Sequence, residues 1–167
     1  MNLKVLLAAL LFGCAACSTN ADTPFGIPYE KAPAEGLVVG GQPTKAQLKA
    51  VADAGFTTVV NLRREGEFDD FDEAAEVKRL GMNYVHIPVR NIEAITPADA
   101  KTLDEAIAAS EGPVLLHCTV GWRAGGLYAI SRHLFHGVSD RETLEIAAAA
   151  HMDHATGDVE EWLDDND

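Results

Sequence analysis

Cysteine, histidine and arginine stand together once in the body of this chain. The segment runs His117-Cys118-Thr119-Val120-Gly121-Trp122-Arg123-Ala124-Gly125-Gly126, directly after the apolar run Val114-Leu115-Leu116. An apolar strand that ends in such a segment delivers Cys118 to the carboxyl edge of a sheet, where α/β proteins bind ligands. The turn that follows contains Gly121 and opens a helix. Successive backbone N–H groups in a turn of this kind point inward at an anion, and the helix dipole adds about half a positive charge. Arg123 adds a planar fork suited to phosphate. The same positive field favours a thiolate, the nucleophilic form of cysteine. Gly121 has no Cβ to obstruct the tight turn, and Gly125 and Gly126 permit close helix packing. Against this stands the ordinary fate of a lone cysteine, which is that of a small buried apolar side chain.

The elements that must carry this loop are legible from capping residues and apolar periodicity. Leu37-Val38-Val39 is a short apolar run. Thr44 and Gln47 form a capping box, and the helix they open stops at Gly55. Phe56 to Leu62 is a β-branched, buried strand. Phe71 to Leu80 is helical with Gly81 as its stop, and Tyr84 to Ile87 is a strand ended by Pro88. Thr96-Pro97 starts a further helix, Pro113 to His117 is the next strand, and a helix beginning at Arg123 or Ala124 runs to about His136. Ser139 and Glu142 cap an alanine-rich helix, and a short acidic segment, Val159 to Asp167, closes the chain. Alternation of this kind predicts one α/β domain over residues 36–167, with a mostly parallel central sheet flanked by helices on both faces.

Composition bounds the partners. With 167 residues, 47% hydrophobic and 23% charged, the chain is an ordinary globular one, which excludes disorder, collagen and a multi-span membrane protein. Its formal charge of -13 repels nucleic-acid backbones. Three cysteines do not make a disulfide scaffold. The first residues read as an address. Lys4 precedes the apolar stretch Val5 to Gly13, too short to span a bilayer and suited to a signal peptide over residues 1–17. Gly13-Cys14-Ala15-Ala16-Cys17-Ser18 resembles a bacterial lipoprotein cleavage box, with Cys17 favoured over Cys14 as the lipidated residue; plain secretion with a cut near Ala21 is the alternative. An exported, periplasmic protein held to the membrane by lipid alone is the expectation. Residues 18–35, with Pro24, Pro28 and Pro33, read as an extended tether.

The motif His117-Cys118-x-x-Gly121-x-Arg123 resembles the cysteine-dependent phosphatases of the tyrosine and dual-specificity superfamily. It most resembles the small bacterial branch called beta-lactamase hydrolase-like, protein phosphatase-like. Three further segments are similar to that branch: Gly40-Gly41-Gln42-Pro43, the stretch Gly55 to Arg63 with Glu67 downstream, and the stretch Gly81 to Val89. The resemblance covers roughly residues 36–150. It implies a dual-specificity-phosphatase-like fold and hydrolysis of phosphate monoesters on a small molecule or phosphoprotein, with no cofactor and no metal. Cys118 would attack phosphorus and form a cysteinyl-phosphate. Arg123 and the amides of Thr119, Val120, Gly121 and Trp122 would hold the phosphoryl oxygens, and His117 would orient the loop and tune the thiol.

Three departures from the wider superfamily stand out. Four residues, rather than five, separate Cys118 from Arg123, a shortening that the bacterial branch shares. Ala124 replaces the usual Ser or Thr. No aspartate follows Ile87-Pro88, where the chain reads Val89-Arg90-Asn91-Ile92-Glu93, which leaves Glu93 as a candidate general acid beside its plainer reading as a solvated loop charge. Arg63, at the end of a strand, either reaches the ligand or pairs with Glu65 or Glu67. Asp99 is read chiefly as a helix-start acid, His151 and His154 as a helix end rather than a metal pair, and Trp162 as a packing anchor. Two other functions fit the same residues: a sulfurtransferase carrying a persulfide on Cys118, and a phosphate-binding module without turnover.

Overall fold

The computed structural model describes residues 24–68, 70–151 and 154–166, and of residues 151, 154 and 155 the backbone alone. The strands are β1 (Lys31–Ala34), β2 (Leu37–Gly40), β3 (Thr58–Asn61), β4 (Asn83–His86) and β5 (Val114–His117). The helices are α1 (Lys45–Asp53), α2 (Glu73–Arg79), α3 (Pro97–Ala109), α4 (Trp122–His136), α5 (Asp140–His151) and α6 (His154–Asn166), with a 3₁₀ turn at Ile92–Ala94. The sheet order is β1-β2-β5-β3-β4. β2, β5, β3 and β4 run parallel, and β1 is antiparallel to β2.

Register explains where these strands are apolar. Val39, Leu116, Val60 and Val85 are aligned across the four parallel strands. They pack with Leu103 of α3, Leu127 and Ile130 of α4, and Trp162 of α6. One residue earlier, Val38, Leu115, Val59 and Tyr84 are aligned. They pack on the opposite face with Leu48 and Val51 of α1 and Val77 of α2. β2, β3 and β5 therefore bury both sets of side chains, as a sheet covered on two faces requires, while the edge strand β4 is only half-buried at Tyr84 and Val85. Each fully buried Leu or Val contributes about 1.5–3 kcal/mol.

The caps behave as their residue types dictate. Thr44 with Gln47 and Thr96 with Asp99 both close capping boxes. Asp99 is thus part of a helix start. Trp162 is buried, and its indole N–H donates to Ile95 O at 2.8 Å, the anchoring role expected of it.

Two segments differ from expectation. The stretch read as an extended tether is packed from Phe25 onward. Ile27 is buried, the Glu30 carboxylate accepts from the Phe25 and Ile27 amides, and residues 31–34 form β1. Lys-Ala-Pro-Ala carries no apolar alternation, and its proline suggests a break. An edge strand nevertheless tolerates proline, and Gly36, with φ +73°, makes the tight return into β2. The closing segment is also longer than expected: α6 begins at His154 rather than near Val159. The residues before 24, including Cys14, Cys17 and the start of the supposed tether, lie outside the described residues, as do the side chains of His151 and His154.

Candidate active site

The last residues of the four parallel strands form one row: Gly40, His117, Asn61 and His86. Cys118 is the first residue beyond that row. Its amide donates to Gly40 O at 3.2 Å, while Leu62 N–H donates to the His117 carbonyl at 2.9 Å, so the ends of β2 and β3 hold Cys118 at the carboxyl edge from both sides. The loop is then clamped from β2. Gln42 N–H donates to Thr119 O at 3.1 Å, and Gly41 bridges Val120. A Cβ on Gly41 would stand 2.8 Å from the Thr119 carbonyl oxygen, so this clamp needs glycine.

Gly121 turns the loop into α4 with φ +91°, a conformation that favours glycine. The turn aims the Gly121 N–H back at Cys118 Sγ, 3.0 Å away. Thus the sulfur sits under a backbone donor at the N-terminus of a 15-residue helix, in the field that stabilises negative charge. Cys118 is buried, whereas Val120 and Trp122 on the rim are exposed.

Arg123 is held before any ligand arrives. Its Nη1 donates to Val89 O at 2.7 Å and to Glu67 Oε1 at 3.1 Å; its Nη2 donates to Glu67 Oε2 at 2.6 Å and to Thr119 Oγ1 at 3.0 Å. Burial disfavours the guanidinium charge, but the Glu67 hydrogen bond and the neighbouring Cys118 sulfur outweigh it and raise the Arg123 pKa above its usual value. Burial likewise works against the Glu67 carboxylate, yet the hydrogen bonds from Arg123 and Arg64 hold its pKa at about 2.

A second, buried polar cluster lies behind the loop. His117 Nε2 donates to Glu73 Oε1 at 2.7 Å, and its Nδ1 faces the Cys118 carbonyl at 3.3 Å. Glu73 Oε2 accepts from Arg63 Nη2 at 2.7 Å and from Gln42 Nε2 at 2.8 Å. Burial pushes the Glu73 pKa up, but His117, Gln42 and Arg63 together bring it below the ordinary carboxyl range.

The expected site residues therefore divide. His117, Cys118, Thr119, Val120, Gly121, Trp122 and Arg123 form one continuous strand–loop–helix unit. Arg63, read as either a ligand contact or a partner of Glu65 or Glu67, lies outside that unit. It is buried, its side chain donates to Asn61 and Glu73, and its guanidinium lies over the Phe68 ring at 4.5 Å. Its ion-pair partner is neither Glu65 nor Glu67. Glu93 is exposed on the 3₁₀ turn, whose Ile92 packs where a Cβ on Gly126 would stand, 2.8 Å away. Glu73 was invisible to sequence reading, because an acid in the first turn of a helix ordinarily marks only the dipole. Among the described residues no group of three or more His, Cys, Asp or Glu side chains is placed to hold a metal ion.

The family match makes this five-stranded α/β sheet with a cysteine loop at its carboxyl edge a phosphatase-like domain. The chain belongs to the family described as beta-lactamase hydrolase-like protein, phosphatase-like domain, whose model matches residues 31–135. It is 37% identical over 122 residues to a beta-lactamase hydrolase-like protein of Xylella fastidiosa, a match over 70% of this chain and 28% of that protein. The chain thus spans little more than a quarter of that relative's length. The fold is shared with Tk-PTP in its active form, at 21% identity and a TM-score of 0.64 over 84% of this chain and 99% of that one. It is also shared with TpbA of P. aeruginosa in complex with pTyr, at 20% identity and a TM-score of 0.60 over 79% of each chain.

Proposed function

We propose that the protein is a cysteine-dependent phosphatase of the tyrosine or dual-specificity type that hydrolyses phosphate monoesters without a metal. The observation that carries this reading is the Gly121 N–H held 3.0 Å from Cys118 Sγ, beside an Arg123 fork anchored in advance by Glu67 and Val89. Such a site places a nucleophile beneath donors aimed at developing charge, the main requirement of phosphoryl transfer. The Cys118 thiolate attacks phosphorus, an S–P bond forms, and the P–O bond to the leaving group breaks. The leaving oxygen takes a proton. Water then attacks the cysteinyl-phosphate, which releases inorganic phosphate and restores the thiolate. The loop amides and Arg123 hold the three phosphoryl oxygens in both steps. The pTyr bound by TpbA supports a phosphorylated protein or small molecule as substrate.

We also propose export to the periplasm with a lipid anchor on Cys17 or Cys14. Lys4, the apolar stretch Val5 to Gly13 and the small residues before each cysteine support it. An inhibitor of the lipoprotein signal peptidase should then accumulate precursor; unchanged processing and a freely soluble product would refute it.

The deciding experiment is a substrate panel of aryl and alkyl phosphates, with thiosulfate as sulfur donor and Cys118→Ser as control. Phosphate release that requires Cys118 and persists in EDTA is the expected result. Sulfur transfer from thiosulfate without phosphate release would make the protein a sulfurtransferase. Binding of phosphate with neither activity would make it a binding module.

A further inference from the structure

We infer that Glu73 is a positioning residue that holds His117 as a buried imidazolium beneath the catalytic loop, with Arg63 as the counter-cation that keeps Glu73 in place. Arg63, Glu73 and His117 form a buried chain of contacts, each residue at 5% exposure or less. Glu73 Oε2 is 2.7 Å from Arg63 Nη2, and Glu73 Oε1 is 2.7 Å from His117 Nε2. The other imidazole nitrogen, Nδ1, faces the Cys118 carbonyl oxygen at 3.3 Å. Both acceptors lack a proton to give: one is a carboxylate and the other a backbone carbonyl. A neutral imidazole would turn a lone pair toward one of them. The imidazolium donates to both, and so ties the first peptide of the loop to α2.

The surroundings hold this arrangement. Gln42, whose backbone N–H clamps Thr119, donates its side-chain amide to Glu73 Oε2 at 2.8 Å. Arg63 is itself fixed by Asn61 Oδ1, which accepts from both its backbone N–H and its Nε. The titratable groups facing the relay from neighbouring elements are Tyr84 and His86 of β4. Tyr84 OH accepts from Asn61 Nδ2 at 2.8 Å, and His86 Nε2 lies 2.6 Å from the Arg63 carbonyl. Cys118 faces it from the loop. Glu73 thus meets Arg63 and His117 directly but reaches the cysteine loop only through His117, whose Nδ1 faces the Cys118 carbonyl.

The sign of the effect separates this role from simple proximity. If Glu73 holds the proton on His117, Glu73→Gln removes one negative and one positive charge together, and the lost positive charge is the one that touches the cysteine loop. The thiolate is then less favoured. If Glu73 is only a nearby anion, Glu73→Gln removes a repulsion, and the thiolate is more favoured.

The inference rests on the phosphatase reading for what the thiolate does next, so the test is built to read the relay without turnover. In the wild-type protein, nitrogen-15 NMR of the His117 ring at pH 7, assigned by its loss in His117→Asn, should show both nitrogens protonated. A neutral ring would overturn the proposal, and this measurement needs no variant of Glu73 to fold. In Glu73→Gln, alkylation of Cys118 by iodoacetamide at pH 6 should slow about ten-fold, with its acid limb moved to higher pH by about one unit. Unchanged or faster alkylation would also overturn it. Turnover of an aryl phosphate should fall in kcat with little change in KM. A wild-type protein that passes the NMR and alkylation tests yet hydrolyses no phosphoester would keep the relay and refute the phosphatase.

Discussion

The carboxylate of Glu67 takes both ends of the Arg123 fork, Oε1 from Nη1 at 3.1 Å and Oε2 from Nη2 at 2.6 Å. It also accepts from the Thr119 hydroxyl at 3.2 Å and from Arg64 Nε at 2.8 Å. One acidic side chain thereby fixes the arginine and the second residue of the cysteine loop at once. Preorganisation of this kind removes the cost of orienting a flexible side chain when substrate binds.

Glu67→Gln should lower aryl phosphate turnover about ten- to a hundred-fold, because Arg123 loses a charge-assisted, bidentate partner. It should also change how stability depends on pH. The folded-state pKa of Glu67 is about 2, against an ordinary 4.5, so its contribution is fully present above pH 4.5 and is lost as pH falls toward 2. Urea unfolding should show the wild type more stable than Glu67→Gln at pH 7, with the difference closing between pH 4.5 and 2. A gap that stayed constant with pH would show that the carboxylate charge is not its source.

Gly121→Ala and Gly81→Ala form a matched pair. Both glycines have positive φ, +91° and +82°, so each alanine should cost about 1–2 kcal/mol in urea unfolding. Only Gly121 carries the N–H that meets Cys118 Sγ. Turnover should therefore collapse in Gly121→Ala and survive in Gly81→Ala. Equal activity in the two would detach the turn from catalysis.

Orthovanadate or tungstate should raise the melting temperature, since a ligand bound only by the native state stabilises it. Arg123→Ala should remove most of that rise. Arg123→Lys should also be impaired, because an ammonium lacks the planar fork that Glu67 and Val89 now align. Thermal shifts equal to wild type in Arg123→Ala would falsify the phosphate cradle.

Leaving-group dependence tests the acid. Glu93 is exposed on the 3₁₀ turn at Ile92–Ala94. An aryl leaving group departs without a proton, whereas an alkoxide needs one. Aryl phosphates should turn over faster than alkyl phosphates, and Cys118→Ser should abolish both. If Glu93 supplies the proton, Glu93→Gln should depress alkyl turnover more than aryl. An equal effect on both would remove Glu93 from that role.

Local sequence determined most of the secondary structure and the whole cysteine loop. Capping boxes at Thr44 and Thr96, glycine stops at 55 and 81, and the apolar run into Cys118 all act within a few residues of one another. Such signals are complete in the chain itself. Residues 117–123 are likewise contiguous, so their shared site needed no tertiary information. Tertiary structure alone decided which charges meet. Arg63 stands two residues from Glu65 and four from Glu67, yet it pairs with Glu73 of α2. Glu67 pairs instead with Arg123, and Glu73 also meets His117, across 56 and 44 residues of chain. The pairing of β1 with β2 belongs to the same class. Charge pairing across a sheet edge depends on where parallel strands end and which helix lies over them, and residue type and spacing alone do not encode that geometry.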